Sequence, residues 1–276
     1  MNGINKILNS LAACLLSIVT VAYANDVTVA TALQVIVDGQ HRSAEHRARN
    51  QYRHPAETLA FFGIRDDMTV VEISPGGGGW YTEILAPYLR ENGTLVAGNY
   101  DIDSEEKYYQ RNSRVFSEKM AADPALYDKV RVAVFDPPHK LEAAPPGSAD
   151  MVVTFRNFHN WMEDGDAEAA LQGMHQMLKP GGTLGVVQHR GNPAVEQDPQ
   201  ADSGYVRQDY LIRLIKAAGF ELVVSSEINA NPKDTKDHPE GVWTLPPNFD
   251  LGEADREKYA AIGESDRMTL KFIKTE

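Results

Sequence analysis

Two stretches of the chain concentrate residues able to do chemistry. The first is Val70-Val71-Glu72-Ile73-Ser74-Pro75-Gly76-Gly77-Gly78-Gly79-Trp80. Four successive glycines leave a bare backbone that a cofactor can approach, and they permit positive φ at no Cβ cost. Val70, Val71 and Ile73 read as a strand. Tyr81 to Leu89 reads as a helix with Ile84, Leu85 and Leu89 on one stripe. Strand, glycine turn and helix make the nucleotide-binding βα unit. The alternative is a loop that needs only flexibility. A dinucleotide site wants G-x-G-x-x-G with an acidic residue ~20 positions later. Here the acidic residue, Glu72, comes before the glycines.

The second stretch is Phe155-Arg156-Asn157-Phe158-His159-Asn160-Trp161-Met162. Arg156, Asn157, His159 and Asn160 can bind a substrate or move protons. Phe155, Phe158 and Trp161 can wall a pocket. His159 has an ordinary pKa suited to a general base; a hydrogen-bonded structural role is the alternative. His189-Arg190 offer the same choice. The eight histidines show no H-E-x-x-H or comparable spacing, so no metal site is expected. No G-x-S-x-G elbow occurs, and Gly263-Glu264-Ser265-Asp266 lacks the closing glycine.

The elements that must position these groups alternate along residues 67–226. Strands are predicted at Thr69 to Ile73, Thr94 to Gly98, Val130 to Phe135, Met151 to Phe155, Thr183 to Gln188 and Glu221 to Ser225, with a last one at Arg267 to Lys274. Helices are predicted at Asp103 to Met120, Ala167 to Leu178 and Tyr205 to Ala218. Such alternation specifies an α/β fold, a mostly parallel sheet with helices on both faces. Ahead of it, residues 30–64 read as helical, broken at Pro55, with Glu45 four residues before Arg49. Their charges form either a solvated face or a cap over the pocket. Between the sixth and last strands stands an insertion of about 40 residues, 227–266. Loops that long usually carry a function. Its polar Asn229 to His238 and its Trp243 suit a substrate lid; a cover for the sheet edge is the alternative.

The N-terminus reads as a signal. Lys6 is the only charge before position 26, an apolar run spans Leu11 to Val21, and Ala22-Tyr23-Ala24 ends it. Basic start, short apolar run and A-x-A end form a secretory signal peptide, with cleavage expected after Ala24. The run is short for a membrane span, so no stable membrane insertion is expected after cleavage; a retained anchor is the alternative. The expected organisation is thus a signal at 1–24, a helical extension at 25–66 and a main domain at 67–276. Loss of Lys6 takes the net charge from −12 to −13. Such an acidic chain repels nucleic acid. Cys14 is the only cysteine and leaves with the signal. Disulfides, thiolate catalysis and cysteine zinc sites are thereby excluded.

Glu72, Ser74, Gly76 and Gly78 resemble motif I of class I S-adenosylmethionine (SAM)-dependent methyltransferases, roughly E/D-x-G-x-G-x-G. Ser74 replaces the first glycine, which the turn tolerates if its φ is negative. Ala149-Asp150-Met151-Val152-Val153-Thr154 resembles the family's fourth strand. Leu178-Lys179-Pro180-Gly181-Gly182-Thr183-Leu184 resembles its approach to the fifth, and Ala217-Ala218-Gly219-Phe220 its approach to the sixth. The ordered set covers about 160 residues. His46 to Gly63, Phe155 to Met162, Asn229 to Pro247 and Ala261 to Met268 further resemble a family of exported proteins predicted to be methyltransferases.

The resemblance implies a Rossmann-like, seven-stranded sheet and SAM as cofactor. It places the cofactor at Glu72, Ser74, Gly76 and Gly78. Asn99 falls where a carboxylate normally grips the ribose, with Asp101 two residues on. Asp136 is placed to accept from the adenine amino group, or else it is a turn residue before Pro137-Pro138. Arg156, Asn157 and His159 are the catalytic candidates, acting on a small-molecule acceptor. Export to the periplasm sits awkwardly with a cofactor made in the cytoplasm. Two alternatives therefore stand: an exported ligand-binding protein that does not methylate, or a lyase or hydrolase on the same scaffold.

Overall fold

A computed structural model describes residues 29–275. The expected signal at 1–24 lies outside the described residues. Seven strands form one sheet in the order β3-β2-β1-β4-β5-β7-β6. They are β1 (Thr69–Ile73), β2 (Thr94–Asn99), β3 (Arg131–Val134), β4 (Ala149–Phe155), β5 (Leu178–His189), β6 (Phe220–Ser226) and β7 (Arg267–Lys274). The first five pair in parallel, and β7 runs antiparallel between β5 and β6. This is the expected Rossmann-like seven-stranded sheet.

Side-chain alternation explains how both faces are covered. In β1, Val71 and Ile73 point into one core with Val152 of β4 and Leu184 of β5. Val70 points into the other with Met151, Val153 and Val187. A period of two sends successive residues to opposite faces. The first core is closed by α8 (Ala167–Met177) through Leu171 and Met174, and by α9 (Gln208–Ala217) through Leu211 and Ile215. The second is closed by α3 (Pro55–Phe62) through Leu59 and Phe62, and by α4 (Thr82–Leu89) through Ile84 and Leu85.

The N-terminal extension is a chain of short helices. Helical residues 29–37 are followed by α1 (Ala44–Ala48), α2 (Asn50–Arg53) and α3. Ser43 caps α1 by accepting from the His46 amide. His54, at φ 37, breaks the path between α2 and α3. After β2 the helix α5 (Lys107–Ala122) begins four residues later than expected. Asp101 Oδ1 accepts from the Asp103 amide at 3.0 Å and holds that segment as a turn. Pro124 opens a separate α6 (Pro124–Tyr127). The helix expected from Tyr205 starts at Gln208, because Val206 bridges to Arg190.

Besides α6, the sequence reading leaves out α7 (Phe158–Glu163), directly after β4, and a helix within the insertion. The insertion 227–266 carries a 3-10 turn at Gly241–Thr244 and α10 (Arg256–Ile262). Its return into β7 brings Trp243 and Glu264 back over the carboxyl ends of the parallel strands.

Candidate active site

The carboxyl ends of β1, β4 and β5 open into a cavity of about 250 Å³. That is just under the ~300–1,000 Å³ of ordinary ligand pockets. Glu72, Ser74, Pro75 and Gly76 form one side. Arg156, Asn157, His159 and Asn160 form another, with His189 after β5. Val242, Trp243, Pro246, Pro247 and Asn248 of the insertion close over it, and Arg49, Glu264 and Ser265 complete the wall. Both stretches singled out in the sequence thus meet in one space.

The glycine turn splits into two tasks. Gly76 takes φ 69, and a Cβ built on it would meet nothing within 4 Å. Its missing side chain leaves open room in the cavity wall. Gly78 does not face the cavity; a Cβ there would touch His46 at 3.6 Å, so this glycine packs under the N-terminal extension. Gly77 donates its amide to Asn112 Oδ1 of α5 at 3.1 Å. Ser74 was expected to keep a negative φ, and it does not: it sits at φ 51. The turn therefore keeps the left-handed backbone of the glycine it replaces and bears the strain of a Cβ there.

Glu72 is buried beneath this turn and accepts from Thr82 Oγ1 at 2.6 Å. Burial pushes its carboxyl up to about 7, and the Thr82 bond only partly offsets that. No cation pairs with it among the described residues. The ribose position is less conventional. Asn99 is buried outside the cavity wall, and neither atom of its amide has a hydrogen-bond partner. Tyr100, next along, lines the cavity and stacks on Tyr109. Asp101 is also outside the wall, ion-paired with Lys140. Asp136 forms a turn, its amide donating to Lys140 O at 2.7 Å and its carbonyl accepting from the His139 amide. Its side chain is not part of the cavity wall.

The residues after β4 line the cavity. Asn157 donates through Nδ2 to Ile73 O at 3.1 Å and to Thr154 Oγ1 at 2.9 Å. Its amide ties the end of β1 to β4 and positions the turn, and the residue also lines the cavity. His159 was expected as a general base. Gln188 Nε2 donates to Gly204 O and lies 3.2 Å from His159 Nδ1. The carbonyl can only accept, which orients the Gln188 amide and makes His159 Nδ1 the acceptor. The neutral ring then carries its proton on Nε2 and is a donor. Burial, followed by the Arg156 charge, lowers its pKa to about 4, which keeps it neutral. Trp243 lies edge-on at 5.7 Å and His189 at 5.4 Å. His189 Nδ1 is 2.5 Å from Ser265 Oγ, and burial holds that imidazole neutral as well.

Arg156 adopts φ 65, and its guanidinium makes no hydrogen bond or ion pair among the described residues. Burial lowers its pKa to about 10, and Arg49 adds to the effect. Glu264 lies near it and is shared by three other arginines. Arg49 Nε is 2.5 Å from Oε1, Arg53 Nε 3.1 Å and Arg267 Nη2 2.9 Å from Oε2. The expected Glu45–Arg49 helical pair does not form, because α1 ends at Ala48 and the side chain of its cap, Arg49, turns to the buried Glu264. Arg53 and Arg42 both lie over the Trp80 ring, at 4.7 and 4.6 Å. Sequence reasoning missed this cluster. Arg49 and Arg53 are four apart, and that spacing marks a shared helical face. Tyr100 and Tyr108 also line the cavity unforeseen. Among the described residues no group of three or more His, Cys, Asp or Glu could hold a metal ion.

Residues 44–225 match the model of a family described as Methyltransferase domain. This span is most of the chain, and the protein belongs to that family, within the class I SAM-dependent methyltransferase superfamily. The family implies S-adenosyl-L-methionine as the cofactor. Similar solved structures include a SAM-dependent methyltransferase from Aquifex aeolicus, at TM-score 0.54 and 14% identity, covering 89% of this chain and 98% of the other. The cyclase SpnF aligns at TM-score 0.55 and 16% identity, over 92% and 95% of the two chains. A SAM-dependent methyltransferase from Methanosarcina mazei aligns at 0.50 and 14%, over 77% and 94%. At these identities the likeness is one of fold. No curated protein sequence matches this chain.

Proposed function

We propose that the protein transfers a methyl group from SAM to a small-molecule acceptor held beneath the insertion. One observation carries this reading: Gly76 presents bare backbone to the same cavity that Glu72, Arg156 and His159 line. A bound SAM supplies a methyl group already activated by its sulfonium charge. The chain must then chiefly place the acceptor in line and exclude water. Gly76 and Ser74 supply the close backbone, and Glu72 beneath them supplies a carboxyl poised near neutrality. Asn157 holds the turn in register with β4. His159 donates a hydrogen bond, and Trp243 roofs the space. The small volume suits an insertion that opens to admit ligands, as a lid does.

The N-terminal pattern of Lys6, Leu11 to Val21 and Ala22-Tyr23-Ala24 supports export to the periplasm. N-terminal sequencing of the exported protein should begin at Asn25; an intact Met1 would remove this reading. A second function is favoured by the unpartnered Asn99 amide at the ribose position: a ligand-binding protein, or another reaction on the scaffold.

Calorimetric titration of the mature protein with SAM and S-adenosylhomocysteine tests the main reading. Micromolar binding is expected, and Gly76→Arg should abolish it by filling the open room. A folded protein that binds neither compound would remove the methyl-transfer reading.

A further inference from the structure

We infer that the wall formed by Arg156 and Arg49 is an anion subsite that holds a carboxylate or phosphate group of the methyl acceptor. The inference rests on the proposed methyl transfer for the word acceptor, and on the cavity alone for the anion.

The charge balance comes first. Four guanidiniums, those of Arg49, Arg53, Arg156 and Arg267, surround the single carboxylate of Glu264. That leaves a surplus of positive charge within a chain whose net charge is −12. Buried cations without matching anions are costly and are usually paired. Arg49 Nη2 and both terminal nitrogens of Arg53 are buried without hydrogen-bond partners. Arg53 is compensated in part by the Trp80 ring beneath it. Arg156 has no such compensation, and it lines the cavity.

Placement comes second. Arg156 holds a left-handed backbone at φ 65, a conformation found where the surroundings impose it. Its amide donates to Val187 O at 2.7 Å, which locks the bend at the junction of β4 and β5. The neighbouring His159 presents an N–H rather than a lone pair, and Asn160 adds an amide. Guanidinium, imidazole N–H and amide together match the oxygens of a planar or tetrahedral anion. Glu72 and Gly76, after β1, are assigned to the cofactor by the proposed function. An acceptor anion on the arginine side would also neutralise a site that must take in a sulfonium cation.

The cofactor's own methionine carboxylate has the same chemistry, so the test separates the two sources. Inorganic phosphate is titrated into the purified protein at constant ionic strength, with and without saturating S-adenosylhomocysteine. Tryptophan fluorescence reports occupancy, because Trp80 and Trp243 line the cavity. Phosphate should bind with a Kd of about 1 mM or tighter, and S-adenosylhomocysteine should not displace it. Arg156→Gln should weaken phosphate by at least about tenfold, while Arg156→Lys, which keeps the charge, should lose less. Circular dichroism confirms the fold of both variants. Equal affinity in wild type and Arg156→Gln would overturn the subsite. Displacement by S-adenosylhomocysteine would assign the arginines to the cofactor and overturn the acceptor. Arg156-dependent phosphate binding in a protein that binds no S-adenosylhomocysteine would keep the anion site and remove methyl transfer.

Discussion

Two buried carboxylates fasten the N-terminal extension to the body of the fold, and they do it differently. Glu83, in the first turn of α4, receives Arg42 Nε at 3.2 Å, His46 Nδ1 at 2.9 Å and Lys119 of α5. Burial pushes its pKa up, but the bonds from His46 and Lys119 outweigh that and hold it below the ordinary range. Glu264 receives three arginines, and the charges of Arg53, Arg267 and Arg49 outweigh burial to hold its carboxyl well below the ordinary range. Around Glu83, two of the three partners, His46 and Lys119, are about a quarter exposed and so stay in contact with water. Around Glu264 two of the three arginines are almost fully buried, and a fourth cation, Arg156, stands beside them. The first is a fastening. The second is a fastening whose excess charge faces the cavity.

Removing each carboxylate sharpens the contrast. Glu264→Gln should cost the most, about 4 kcal/mol, because it strands buried guanidiniums. Chemical denaturation at neutral pH measures it. The wild-type contribution is present above the ordinary carboxylate pKa and is lost only in strong acid, since the folded pKa is depressed. Glu83→Gln should cost about 3 kcal/mol, less because its exposed partners recover water. A cost for Glu83→Gln larger than for Glu264→Gln would break the comparison.

Glu72 extends the series to a buried carboxyl with no cation, and its sign reverses. An unfolded Glu72 ionises near 4.5 and the folded one near 7. Stability therefore falls as pH rises through that interval, by roughly 3 kcal/mol at most. Glu72→Gln should stabilise the protein by up to that amount above pH 7, with little effect near pH 4, and should weaken SAM binding. Thermal unfolding at the two pH values reads the difference; a variant less stable at pH 8 would refute it. Lys119→Ala should cost under about 1 kcal/mol.

The strands were legible because their signal is local. Thr69 to Ile73 and Arg267 to Lys274 were predicted with the bounds they have. Alternating apolar residues and flanking turns declare a strand within a few positions. The meeting of Glu72, Gly76, Arg156 and His159 was legible too, since parallel strands deliver their following residues to one edge. The helix α7 was hidden, because its buried Phe158 and Trp161 were read as pocket walls. The left-handed Ser74 could not be seen in a residue type that disfavours it. The arginines around Glu264 were out of reach for a different reason: nothing local joins residues more than 200 positions apart.

That separation has a consequence for how the molecule is made. Arg49 and Arg53 reach Glu264 across 215 and 211 positions. The last strand, β7, is also the one that fills the gap between β5 and β6. Arg49 and Arg53 therefore wait for more than 200 further residues before their partner exists. Contacts of such range slow folding and reward it only at the end. An unfinished chain carries its glycine turn and its arginines, yet its β5 and β6 stand apart and its cavity has no roof. Completion of β7 seats Glu264 against Arg49 and Arg53 and closes the pocket in the same event.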